Sequence, residues 1–312
     1  MWKGAGGPEE RSRRAEEVSM LFSGVDPARA FRWFAVDVTD VTRSAQLRLN
    51  LSPVASVAFG RCVAAAAMLM RMSSKTPRRL ILDVRGAGPL GRVMVEVGDG
   101  GSVRGLVGDG LATVDGDPRE LSVSDALGVG LLRVRREEKR PGHQAPLPSP
   151  TPVSYESQVE LVSSEIGEDL AYYLQQSEQR RCAVALGVDV GPDGIRRAGG
   201  FLVEALPDAP EEGVAEVERH FQSAGPVTGR LERGGLDGLA REIWSDAVVL
   251  DRHPMEYRCR CTDEVLRARL ESLPASEVAM LADDDGHVRA ECAFCGQIYE
   301  FGLEDLLEQV PS

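Results

Sequence analysis

Two pairs of cysteines near the C-terminus constrain this chain more than any other feature of its sequence. They are Cys259-Arg260-Cys261 and Cys292-Ala293-Phe294-Cys295, with thirty residues between them. A structural zinc site needs four thiolate or imidazole ligands at tetrahedral positions, and short paired motifs deliver them two at a time. The intervening residues must therefore fold back so that the pairs meet. Thr262 is placed to N-cap a helix whose Leu266, Leu270 and Leu273 share a face, and Pro274 ends it. Pro274 or Ser276 starts a second short helix through Leu281, and Asp285-Gly286 turns the chain into a strand leading to Cys292. Gly296 follows the second pair, where a tight knuckle benefits from a residue free to take positive φ.

The expected metal ligands are thus Cys259, Cys261, Cys292 and Cys295, holding one zinc ion in the reduced state. A purely structural zinc site, or a chance grouping of unrelated cysteines, would give the same pattern. Oxidising any of four thiolates removes a ligand, so such a centre is also a natural redox switch. Six cysteines in all, four of them clustered, are too few for a disulfide framework. Cys62 lies in an Ala-rich stretch and reads as a small buried apolar group. Cys182 follows Arg180-Arg181, which could lower its pKa, although a structural role at a strand edge is the simpler reading.

Other chemistry finds no support. His143, His220, His253 and His287 show no metal-ligand spacing, and there is no P-loop or GxSxG elbow, so no hydrolase or phosphoryl-transfer enzyme is expected. Gly86-Ala87-Gly88-Pro89-Leu90-Gly91 matches the dinucleotide fingerprint, but a β-type run follows it where a helix is needed, and a β-turn is the better account. The formal net charge of −13 repels nucleic-acid backbones and anionic membranes at long range, so neither partner is expected. No apolar run approaches the roughly 18 residues of a membrane span, and the first residues lack the apolar core of a secretion signal, which makes the cytoplasm the expected location.

The 312 residues suggest about two domains. Residues 1–19 read as a mobile extension. A core over 20–207 opens with a strand at 32–38 and a long helix from Ser52-Pro53 to about Met72. An antiparallel meander at 79–84, 92–97 and 103–107 follows, covered by that helix. Residues 133–152 mix a charged run with prolines and read as a flexible loop. Ile166, Leu170, Tyr173 and Leu174 repeat at helical spacing, and strands follow at 183–188 and 200–203. Residues 208–257 form an acidic, helix-prone linker with thin apolar faces such as Val214, Val217 and Phe221, and 258–312 form the zinc module. The fold class is α+β: an antiparallel sheet with packed helices, a helical linker and a small C-terminal zinc-binding module.

The CxC and CxxC pairs, with LPASEVAMLADDDG between them, resemble the redox-regulated 33 kDa heat-shock chaperone family, also called the 33 kDa chaperonin family. Asn50-Leu51-Ser52-Pro53, GAGPLGRVMVEV, GSVRGLVG, QVELVSSEIGEDLAYYLQQSEQ and Ala198-Gly199-Gly200-Phe201-Leu202-Val203 follow in the family's order. The chain departs from it at Ala87, Leu106 and Ser164, where an acidic residue, an aromatic and a glycine are usual. The resemblance implies an ATP-independent holdase, inactive while reduced and metallated. It implies that oxidation joins Cys292 to Cys295 and Cys259 to Cys261, releases zinc, and unfolds module and linker. Apolar surface is then uncovered for unfolding client proteins, and the active form tends to be a homodimer. The competing readings are a thiol-disulfide oxidoreductase using Cys292 and Cys295, without the βαβ context it needs, and a zinc-ribbon nucleic-acid binder, which the acidic balance disfavours.

Overall fold

The apolar residues near 32–38 do form a strand, but it is the second one. In the computed structural model, which describes residues 18–73, 77–114, 122–138 and 154–307, β1 (Ser19–Val25) precedes β2 (Phe31–Asp37) and pairs with it antiparallel. The expected extension over 1–19 therefore ends too late: Ser19 is already in β1, its hydroxyl accepting the Val41 N–H at 3.2 Å, and 1–17 lie outside the described residues. Short and interrupted by Ser23 and Gly24, β1 offers little periodicity to detect.

The chain divides into two compact units, Met1–Tyr257 and Arg258–Ser312. In the first, α1 (Thr39–Leu49) and α2 (Pro53–Met72) follow β2, and then β3 (Arg79–Gly86), β4 (Arg92–Gly98) and β5 (Ser102–Val107) form the expected antiparallel meander. A short α3 (Val123–Leu127), β6 (Gly130–Glu137), β7 (Ser154–Glu160), α4 (Gly167–Glu178), β8 (Arg181–Gly191) and β9 (Gly194–Ala205) come next. The unit ends with α5 (Glu211–Ser223), α6 (Val227–Arg241) and β10 (Val248–Tyr257). The ten strands make one sheet in the order β7-β6-β3-β4-β5-β10-β1-β2-β9-β8. Every pairing is antiparallel except the central one, where β10 meets β5 in parallel through Glu256 opposite Ser102 and Tyr257 opposite Val103. The sheet is thus two antiparallel halves joined at one short seam.

Two expectations need correction. Residues 133–137, assigned to a flexible loop, belong to β6, because Leu132 and Val134 alternate with Arg133 and Arg135 and bury their side chains against the core. The Pro-rich remainder at 139–152 lies outside the described residues. Residues 248–257, assigned to the helical linker, form β10, paired along β1. Acidic charge at Asp251 and Glu256 hid its β-branched start at Val248-Val249.

Helix α2 is the hub. Ser52 caps it by accepting the Ala55 N–H, Pro53 occupies its first turn, and its alanines and Gly60 allow close approach to β3, β4, β8 and β9. By length and composition it passes as a membrane span, contrary to the sequence expectation, yet nearly all of it is buried inside the fold, as in a core helix. Cys62 within it is completely buried, as expected. The GxGxxG segment is the turn from β3 to β4. A Cβ at Gly86 would stand 1.9 Å from the Leu127 carbonyl and one at Gly88 2.5 Å from the Ala126 carbonyl, so these two glycines serve packing against α3, while Gly91 takes φ 63° in the turn.

Helices α5 and α6 cover a second apolar cluster on β2 and β9, made by Phe31, Trp33, Phe201, Val203, Val214, Val217 and Leu231 among others. Buried in it is Arg230, whose Nε donates to Glu242 Oε2 (2.7 Å) and whose Nη2 donates to His220 Nε2 (2.7 Å), with the guanidinium over the Phe201 ring. The imidazole must therefore be neutral and accepting at Nε2. Burial and then the Arg230 charge hold its pKa below the ordinary 6.5, against the opposing pull of Glu242 and Glu216.

A second buried polar group holds the loop before α4. Asp169 accepts the backbone N–H groups of Val162, Ser163 and Ser164 at Oδ1 and of Ile166 at Oδ2, while Ser164 and Ile166 sit at φ of 62° and 68°. Replacing Asp169 by Ala strands four donors at once and should destabilise the first unit by about 3 kcal/mol or more in chemical denaturation; a loss under about 1 kcal/mol would refute the assignment. For His220 the folded pKa is depressed, so its contribution is present above 6.5 and is lost as pH falls below that value through the folded pKa. The wild type should accordingly lose stability relative to His220→Gln on acidification below 6.5, whereas a difference independent of pH would exclude the neutral-acceptor geometry.

Candidate metal centre

The second unit folds back as its sequence requires. Thr262 Oγ1 accepts the Val265 N–H at the start of α7 (Asp263–Glu271), and Pro274 precedes α8 (Ala275–Met280). Gly286 turns at φ 77° into β11 (His287–Glu291), which pairs with β12 (Ile298–Gly302) before α9 (Leu303–Leu307). Leu266, Leu270 and Leu273 lean on a core of Val278, Val288, Phe301 and Leu306.

Between β11 and β12 the chain makes a knuckle. Cys292 N–H donates to the Gln297 carbonyl, while the Cys295 and Gly296 N–H groups both donate to the Cys292 carbonyl, at 3.1 and 2.8 Å. Gly296 takes φ 68°, the conformation expected of it. This curls Cys292 and Cys295 toward one point. Cys259 and Cys261, just upstream of α7, meet them there.

All four Sγ atoms lie within 4.8 Å of one another, with Cys259 to Cys292 at 3.6 Å and Cys261 to Cys295 at 3.3 Å. A tetrahedron with metal–sulfur bonds near 2.3 Å has edges of about 3.8 Å, so the cluster fits one metal ion. These separations are far beyond the roughly 2.05 Å of a disulfide, and all four thiols are free. Among the described residues this is the one group of cysteine, histidine or acidic side chains gathered closely enough to hold a metal. His220, His253 and His287 take no part in it.

The surroundings of the thiols set how readily each ionises. Burial works against ionising Cys261, but hydrogen bonds from Tyr299 and from the other three cysteines hold its pKa down to about 7. Burial, foremost, pushes Cys292 and Cys295 above their ordinary range. One thiolate forms readily and its neighbours then resist, which is the situation a bound dication reverses.

Tyr299 is the contact to the cluster that sequence reading missed. It stands on β12 and donates through its hydroxyl toward both the carbonyl and Sγ of Cys261, each at 3.2 Å. This is an outer contact that fixes a ligand's orientation. The alternation of Tyr299 and Phe301 on one face of the strand after the knuckle was its only signal. The two remaining cysteines are of another kind: burial raises both pKa values, Cys182 to about 12 despite its flanking arginines, with Glu204 adding to the effect.

The Hsp33 protein family model matches residues 19–302. The 33 kDa chaperonin of Aquifex aeolicus is 34% identical over 297 residues, spanning 92% of this chain and 87% of that protein. That of Thermus thermophilus is 36% identical over 304 residues, spanning 93% and 86%. The crystal structure of the 33 kDa chaperonin from Thermotoga maritima aligns with a TM-score of 0.82 at 30% identity, covering 94% of this chain and 97% of that one. With the match running through the large sheet and on to the end of β12, past both cysteine pairs, this chain belongs to the Hsp33 family of heat-shock chaperones.

Proposed function

We propose that the chain is a redox-regulated, ATP-independent holdase, switched by Cys259, Cys261, Cys292 and Cys295 with zinc as the resident metal. What supports this most is the gathering of four free thiols in a unit with little else to hold it. Four residues are fully buried in its core, and α7 contributes none of them. Zinc bound to four thiolates would supply roughly 10–16 kcal/mol of folding free energy to such a module.

The chain's own residues perform the switch. In each pair, Cys259 with Cys261 and Cys292 with Cys295, two thiolates give two electrons to one peroxide. An S–S bond forms, the O–O bond breaks, and two protons from solvent complete two waters. The disulfide sulfurs no longer act as thiolate ligands, and the module loses its cross-link and unfolds. Unfolding then spreads to α5 and α6, which uncover Phe31, Trp33 and Phe201 for the apolar segments of unfolding client proteins. The activated chain works as a homodimer in the cytoplasm, without catalytic turnover and without nucleic-acid or membrane partners.

The reading is tested on the reduced, metal-loaded chain exposed to peroxide, following zinc release with a chromogenic chelator alongside suppression of a thermally unfolding client's aggregation. Both signals should rise together and reverse with a thiol reductant, and serine at any of the four cysteines should abolish the coupling. Zinc release without client protection would reduce the centre to a structural one. Tyr299→Phe keeps the ring but removes the hydroxyl, and should weaken zinc binding about 10–100-fold in chelator competition. Unchanged affinity would show that the contact to Cys261 is incidental.

A further inference from the structure

Arg71, in the last turn of α2, has no hydrogen bond or ion pair among the described residues, and its Nε is shielded from solvent. Arg61, Arg79, Arg92, Arg104 and Arg136, by contrast, each face a carboxylate. Close by is His253 of β10, opposite Leu21 of β1, whose Nε2 is likewise shielded and without a partner. The guanidinium acts on the imidazole, whose pKa is lowered first by burial and then by the Arg71 charge, against the opposing pull of Asp251.

Arg71 and His253 line the same cavity of about 160 Å3, whose floor includes Leu21, Ala67 and Met70. This is many times the space one water needs. The opposite wall is the Gly98–Gly101 turn between β4 and β5. Gly101 sits there at φ 81°, so close to β10 that a Cβ would stand 2.1 Å from the Pro254 carbonyl. Apart from Asp99, the turn brings only glycine backbone to the cavity. Asp99 also lines the cavity, but it is already engaged with a partner of its own.

A half-buried guanidinium without a counter-charge, beside an imidazole with an unsatisfied ring nitrogen, is an unfavourable arrangement unless something completes it. We propose that this cavity binds a small oxyanion, a phosphate or carboxylate group, held by Arg71 and His253. The oxyanion accepts from the guanidinium and from the imidazole in its Nε2–H form, and so satisfies both orphaned nitrogens with charge-assisted hydrogen bonds. It also ties the end of α2, the β4–β5 turn and β10 together beside the one parallel seam of the sheet. The site stands independently of the redox reading.

The test uses the full chain, reduced and metal-loaded, titrated separately with inorganic phosphate and with acetate at ionic strength held constant with chloride. The imidazole resonances of His253 should shift saturably and its titration midpoint should rise. Arg71→Gln should weaken binding at least about tenfold, as the loss of a charge-assisted contact implies. Tighter binding of phosphate assigns a phosphoryl ligand, and tighter binding of acetate a carboxylate. No saturable response of His253 to either anion, or equal binding by wild type and Arg71→Gln, overturns the proposal. Should Arg71→Gln fail to fold, the His253 resonances of the wild type decide alone.

Discussion

Four sulfurs held within 4.8 Å of one another are the constraint on which the second unit depends. A unit of this size buries too little apolar surface to fold securely by itself, and here the buried set is Val278, Val288, Phe301 and Leu306. The cysteines come from two places along it, Cys259 and Cys261 before α7, Cys292 and Cys295 between β11 and β12. A metal held by all four would close the stretch between them at one point. On the proposed switch, stability and oxidation sensitivity would reside in the same atoms.

The first unit is secured by redundancy instead. On the face of the β3–β6 half opposite α2, the carboxylates of Asp83, Glu96 and Glu137 are buried, and each is met by two arginines. Asp83 takes both Arg85 and Arg92, and Glu137 takes Arg79 through two nitrogens, so losing one guanidinium leaves each acid a partner. Pairing of this kind fixes strand register more than it adds net stability, since desolvation offsets most of the attraction. Apolar packing of α2 on the other face provides the rest.

The sequence was most informative where local rules and tertiary need agree. The Ser52-Pro53 start of α2, the Gly296 knuckle, the Thr262 cap and the meander at β3–β5 all follow from residues acting on their immediate neighbours, and the four cysteines met as their spacing required. The failures share a different cause. β10 is defined by pairing with β1, more than 200 positions away, and β6 by its fit between β3 and β7, so charged residues on their open faces disguised both. Tyr299, Arg230 and the Asp169 hub depend on where a side chain ends in space, which one sequence does not state.

The same distinction marks α5 and α6 as the less firmly secured part of the first unit, the part the proposed switch would release. Asp169 has four donors and belongs to a loop it fully satisfies, whereas Arg230 rests on a single carboxylate that is itself one-third exposed, and on an imidazole that accepts only while neutral. α6 adds four glycines, Gly229, Gly234, Gly235 and Gly238, and is broken at Gly235 by a φ of 67°. Gly235 suits that break, whereas each glycine that keeps helical backbone costs roughly 1 kcal/mol relative to alanine. A helix that poor in intrinsic propensity is held by its packing on the sheet, on β9 and β2 above all and on β8 and β1 beside them. Buried polar groups therefore divide the unit: those with surplus partners lie where it is secured several times over, and the one with a bare minimum lies under the helices that the proposed switch would release.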